Sequence, residues 1–435
     1  MSPILKGAVA ELQAALPPGG LFQGRGWRWS DQPLRLDPAD HKFLEALGKR
    51  LTAFLKAANR LYHASVAGKA PAFVAEWLDQ GKPEEVIRLG REETLRSAIP
   101  RVLRPDLLRT EEGWALTEID AVPGGVGLTA WMQENYAKTG SAVVGGANGL
   151  RNLAEKVLGS QGEVVISKEA SDYRPEWQWL AGDDRVHSAE NYRLGDRSIY
   201  RFFEMFDWME LEGIRSLWNP KMLMEPPPKA FLEEKLWWAL FWIKPLEDWW
   251  RKELGEGYFR DLRALVPRAW PLRPMELPPE GVLPELEIQS WLDLENFSQR
   301  ARDLVIKVSG FSARAWGSRG VTVGHDQPKE HWVRALRQGL ADWKTQPHLL
   351  QRFARLGTVA HPVWNEARGE MEEGRWRLRL CPYYLVTGDQ VELKGALATL
   401  CPVDKKLVHG MEDAVLVPLS SESGTGRSKE MADGR

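Results

Sequence analysis

Apolar positions between His41 and Val66 fall at Phe43, Leu44, Leu47, Leu51, Phe54, Leu55, Leu61 and Tyr62. This three-and-four spacing predicts an amphipathic helix. A second helix is predicted from Pro83, whose ring suits a first turn, to Ile99. Residues 1–100 therefore read as a mostly helical region. The pattern changes at Arg101: VLRPDLLRT and WALTEIDA alternate around the turn-like EEG and predict a hairpin. A glycine turn, PGGVG, then leads into a helix over Leu128–Lys138, and VVIS and SIYRFF read as buried strands.

Prolines at 226–228 and between 267 and 284 bracket a long tryptophan-rich helix. Beyond Leu304 the pattern predicts a strand LVIKVS, a loop with Gly310, Ser312, Gly317, Ser318 and Gly320, a strand GVTVG, a helix over Gln327–Lys344 and a strand HLLQRF. Further strands are predicted at Arg375–Val386 and Val391–Leu400. Lys405, Lys406 and His409 read as a charged surface turn, and residues 420–435 as a polar disordered tail.

The chain has 435 residues, enough for two or three packed lobes. Its 58 basic and 60 acidic residues nearly cancel, so no global field points to nucleic acid or a membrane surface. The apolar run LWWALFWI is too short to span a bilayer, and the first residues lack a signal-peptide pattern, so a cytoplasmic protein is expected. Cys381 and Cys401 sit in apolar strand-like segments and read as buried reduced thiols. The 21 tryptophans recur largely at helical spacing and are read as core or lobe-interface packing, with ligand stacking the alternative.

Two constellations could carry chemistry. In Arg104-Pro105-Asp106 and Glu118-Ile119-Asp120 the outer residues are two apart, so on a strand both face one side. Pairing across the EEG turn would bring Asp106, Glu118 and Asp120 beside Arg104. Three carboxylates that close need a cation, and hard oxygen ligands suit magnesium; ordinary solvated strand charges are the other reading. In VIKVSGFSARAWGSRGVTVG, Lys307 precedes a loop whose Ser309, Gly310, Ser312, Gly317 and Gly320 offer flexible backbone N–H groups of the kind that hold phosphate. A plain hairpin with a long loop is the alternative. Gln351 in the strand LLQRF could contact an adenine edge.

In their order these motifs resemble those of the circularly permuted ATP-grasp enzymes, the glutathionylspermidine synthetase-like group in particular. The E-x-D motif comes first and the lysine loop last, as in that group. The resemblance covers residues 101–127 and, more loosely, 222–353; the N-terminal helices and the segment from His361 find no counterpart.

It implies an α+β fold of circularly permuted ATP-grasp type, with a nucleotide site between two α+β lobes and an N-terminal helical region. Residues 101–225 would form the metal- and substrate-binding part and 226–419 the ATP-binding lobes. Asp106, Glu118 and Asp120 would hold Mg2+, although Asp120 stands where the family has asparagine. Arg104 would stabilise the transferring phosphoryl group, and Lys307 and Gln351 would bind ATP. Lys235, which opens the tryptophan-bearing helix, would bind it too, although a longer segment separates it from Lys307 than in the family. Apart from the resemblance, Arg319 in the glycine loop could clamp the γ-phosphate or the acyl phosphate, a solvated loop residue being the alternative. The activity implied is ligation of a small-molecule or peptide carboxylate to an amine through an acyl phosphate. Phosphoryl transfer without ligation and an inactive interaction module remain the alternatives, and neither the substrates nor the oligomeric state is fixed.

Overall fold

The computed structural model describes residues 3–23, 26–274, 285–315, 317, 319–405, 408 and 413–423. Ser318, Lys406, His409 and the tail from residue 424 lie outside the described residues, as does part of the second proline cluster.

The first predicted helix spans Pro38–Val66, with Pro38 in the first turn and the Asp37 side chain accepting from the Asp40 N–H. Its buried stripe packs into the main core: Phe54 stacks on Trp238 and Trp250, both at 5.2 Å between ring centroids. The second helix is shorter than its pattern predicts, covering Glu84–Gly90 before a short 3-10 turn at Glu93–Leu95. The buried Lys229 ammonium collects the Arg96 and Ala98 carbonyls, at 3.2 and 2.9 Å, and Asn59 donates to the Arg96 carbonyl as well. Those carbonyls are thereby drawn out of a helical ladder.

Strands β1 (Val102–Arg109) and β2 (Trp114–Asp120) form the predicted hairpin. The next four are β3 (Glu163–Ile166), β4 (Val186–Ser188), β5 (Ile199–Phe202) and β6 (Met224–Glu225), which make a parallel sheet in the order β4-β3-β5-β6. Then come β7 (Ala269–Leu272), β8 (Leu304–Val308), β9 (Val321–Val323) and β10 (His348–Arg352), antiparallel in the order β7-β10-β8-β9. Finally β11 (Val359–Asn365), β12 (Glu370–Thr387), β13 (Gln390–Cys401) and β14 (Val415–Pro418) return to the hairpin. They build the sheet β14-β13-β12-β1-β2, with β11 on the far half of β12. This sheet joins strands from both sides of the boundary expected at residue 225. The architecture is mixed helix and sheet.

The tryptophan-rich segment is two helices, Leu236–Trp242 and Glu247–Leu265, because Pro245 cannot continue the ladder; the second is kinked at Gly255, whose φ is 72°. Trp131, Trp177, Trp208, Trp250 and Trp332 are fully buried, as packing predicts. Both cysteines are free and buried. Among the described residues no helix is long and apolar enough to cross a membrane. Ser420, expected in the tail, is instead buried: its backbone N–H donates to the Leu34 carbonyl at 2.8 Å and its hydroxyl to that of Ala142 at 3.1 Å.

Candidate active site

The antiparallel register of the hairpin sets Arg104 opposite Asp120 and Asp106 opposite Glu118. Directly opposed residues share a face, so all four side chains enter one cleft. In the second sheet Lys307 pairs with Leu349 and Val305 with Gln351, which puts Lys307 and Gln351 on one face as well. That face forms the opposite wall. Between them lies a cleft of about 420 Å³, lined also by Lys235, Gly124, Gly125, Gly317 and Tyr383.

The charges inside are densely paired. Arg104 lies between two acids, with Nε 3.3 Å from Asp106 and Nη2 2.8 Å from Asp120, and Nη1 donates to the Gly124 carbonyl at 3.0 Å. Asp106 also accepts from Arg379 and, at 3.4 Å, from the Cys381 thiol. Burial pushes the Asp106 carboxyl up, but Arg379 and Arg104 outweigh it and the net shift is downward. Asp120 is raised, by burial first and then by Glu118 and Asp106, in spite of Arg104.

Lys235 Nζ sits 2.7 Å from Glu118 and donates to the Ala315 carbonyl at 2.9 Å. Burial lowers this ammonium, yet Glu118 more than compensates and the net shift is upward. Lys307 has no such partner: it donates to Gln351 Oε1 at 2.8 Å and, more weakly, to the Thr117 carbonyl at 3.4 Å. Burial, aided by Lys235, lowers it to about 8 despite Glu118. Gln351 Nε2 is buried with no protein partner, a donor left for something in the cleft.

The three acids expected to share a metal are therefore not equivalent. Among the described residues no three His, Cys, Asp or Glu side chains stand grouped to hold an ion. Arg104 separates Asp106 from Asp120, and Asp106 is taken up by two guanidinium groups and a thiol. Glu118, 36% exposed, and Asp120 both line the cleft, the Asp120 oxygens meeting Arg104 and the Val122 N–H at 2.8 and 2.9 Å. Two such carboxylates match what magnesium asks of a protein when phosphate oxygens and water complete its shell.

The phosphate-loop residues divide likewise. Gly317 lines the cleft, whereas Gly310 and Ser312 line a small side chamber with Glu118, Asp120, Glu204, Glu233, Phe206 and Phe311. Ser309 is fully buried; its hydroxyl donates to Glu234 and accepts from the Leu236 N–H, so it anchors the loop rather than facing the cleft. Gly320 packs on Val308 and the Arg314 carbonyl. Arg319 lies at the rim, paired with Glu169 of the cleft lining.

Several lining residues carry no signal in the sequence. Arg379, Cys381 and Tyr383 come from β12, and the Tyr383 hydroxyl donates to the Gly124 carbonyl at 2.8 Å. Behind the glycine turn the Glu176 carboxylate accepts from the Gly125 and Leu128 N–H groups, at 2.9 and 3.0 Å. Burial raises it to about 7 although these N–H groups pull it down. A raised carboxyl stabilises the fold below its unfolded value, and that contribution is lost as pH climbs through about 7. Relative to Glu176→Gln, wild type should accordingly lose up to about 3 kcal/mol of stability from pH 4.5 to about 7, and the difference should stay flat above. Denaturant unfolding across that range checks this, and a pH-independent difference would refute it.

No family model matches the chain, and no curated protein does. Among solved structures, a glutathione synthetase-like effector from Globodera pallida is similar at 10% identity over 97% of both chains, with a TM-score of 0.49. A chain from Methylobacillus flagellatus assigned as a gamma-glutamylcysteine synthetase is similar at 12% identity over 90% of this chain and 89% of that one, with a TM-score of 0.38.

Proposed function

We propose that the cleft binds ATP with magnesium and activates a carboxylate for attack by an amine, as a carbon–nitrogen ligase of ATP-grasp type. The observation that carries this reading is the convergence of Lys235, Lys307 and Gln351 on one wall with Arg104, Glu118 and Asp120 on the other. Its volume of about 420 Å³ falls within the usual range of small-molecule sites.

Lys307 and Lys235 bind and orient the phosphate chain, and the unpaired Gln351 Nε2 donates to a ring nitrogen of the base. Glu118 and Asp120 would hold magnesium, which supplies Lewis-acid charge neutralisation between the phosphates. Release of Lys235 from Glu118 as the anionic chain arrives frees both partners for these roles. Arg104 is held protonated by Asp106 and Asp120, against the effect of burial, and with Arg379 it places fixed positive charge where the transferring phosphoryl group is negative. The substrate carboxylate attacks the γ-phosphorus, ADP leaves, and the amine displaces phosphate from the acyl phosphate.

The test is product analysis with a panel of carboxylic acids and weakly nucleophilic amines such as amino acids, which do not trap a free acyl phosphate chemically. Ligation yields amide, ADP and phosphate in equal amounts. ADP with a stable phosphorylated acid and no free phosphate would replace ligation by simple phosphotransfer.

A further inference from the structure

In the N-terminal helical region Lys82 reaches the back of the glycine loop. Lys82 follows Gly81, whose φ is 72° and where a Cβ would stand 1.8 Å from the Thr345 carbonyl oxygen, so the backbone of this turn is pressed onto its neighbour. From there the Lys82 ammonium contacts Glu234 Oε1 at 2.5 Å, donates to the Leu78 carbonyl at 2.6 Å and lies 5.5 Å from the Phe311 ring centroid. The Lys82 and Glu234 side chains are each 1% exposed.

The other oxygen of Glu234 accepts from the Ser309 hydroxyl, which in turn takes the Leu236 N–H at 2.9 Å, while the Lys235 N–H donates to the Ser309 carbonyl at 2.9 Å. Gly310 leaves no room for a side chain, since a Cβ there would stand 2.9 Å from the Glu234 carboxyl carbon. One carboxylate thus clamps the residue beside Lys235 to the start of the loop that follows Lys307. A buried carboxylate holds such a post only with a counter-charge, and Lys82 supplies it.

We infer that Lys82, acting through Glu234, is a positioning residue that fixes Lys235 and the glycine loop in mutual register for the phosphate chain. This rests on the nucleotide reading of the cleft. Lys82→Met leaves Glu234 buried without its cation and pulls the loop out of register. Lys82→Met/Glu234→Gln removes both charges and keeps an acceptor for Ser309. Partners one shell removed from a ligand typically matter about 10- to 100-fold.

The experiment measures ATP affinity with magnesium, unfolding temperature and hydrogen exchange at the amides of residues 309–315, for wild type, Lys82→Met and the double variant. Lys82→Met should weaken ATP binding about 10- to 100-fold and speed exchange at 309–315 in the nucleotide-free protein, and the double variant should restore both. A purely structural pair would lower the unfolding temperature of Lys82→Met with ATP affinity and local exchange unchanged, and that result overturns the inference. Wild-type protein that ignores millimolar ATP would overturn the nucleotide reading instead. Unchanged exchange at 309–315 would still refute the positioning by itself.

Discussion

Glu118→Gln should lower magnesium-dependent turnover by about 10²- to 10³-fold at less cost to the fold than the loss of a buried acid. Glu118 is 36% exposed, and an amide of the same shape keeps a hydrogen bond to Lys235, although it removes the charge that holds this buried ammonium. What the amide cannot supply is anionic oxygen for a metal ion. Asp106→Asn should behave in the opposite way. Its carboxylate lies buried between Arg104 and Arg379, and neutralising it takes the carboxylate from Arg379 and leaves Arg104 with Asp120 alone, at a cost of about 3–5 kcal/mol. Turnover measured beside denaturant unfolding separates the two roles. Full activity in Glu118→Gln would remove that residue from the site, and an unperturbed fold in Asp106→Asn would refute its structural role.

The second large effect belongs to Lys307. Truncation to alanine should weaken ATP binding by about 10- to 100-fold, the usual worth of a hydrogen bond to a charged group. The pH dependence is more diagnostic than the size. Burial lowers this ammonium to about 8, so in the free protein it loses its charge as pH rises through that value. Wild-type affinity should decline between pH 7.5 and about 9, where ATP itself has finished titrating, and Lys307→Ala should lack the decline. Calorimetric titration at several pH values reads both, and parallel profiles would assign the phosphate contact elsewhere.

The pairing of Arg104 with Asp120 and Asp106 with Glu118 was legible in the sequence because strand alternation has a period of two and EEG is a short turn. The same periodicity brought Lys307 and Gln351 to one face. Arg379 was not legible. It enters because β12 pairs with β1 across more than 250 residues, setting Leu108 opposite Arg379, and such a pairing leaves no local mark. That strand also undid the equivalence of the three acids, since it is Arg379 and Cys381 that occupy Asp106.

Glycine and serine content suggested one phosphate loop but could not say which members face the cleft. Ser309 turns inward because Glu234 awaits it, and Glu234 is held by Lys82 in a region with no apparent part in the site. The strands β12, β13 and β14 complete the sheet that begins with β1 and β2, so this sheet draws on both sides of the boundary expected at residue 225. Sequence-distant strands set a lobe here, and composition shifts along the chain do not reveal them.

The central claim, a magnesium-dependent nucleotide site in this cleft, is tested most directly by thermal unfolding with ATP alone, magnesium alone and both, for wild type and Lys307→Ala. At about a hundred times the dissociation constant, ATP with magnesium should stabilise wild type by about 2.7 kcal/mol, more than either alone, and the same concentrations should leave Lys307→Ala with a much smaller shift. No shift of wild type at millimolar ATP and magnesium would contradict the account.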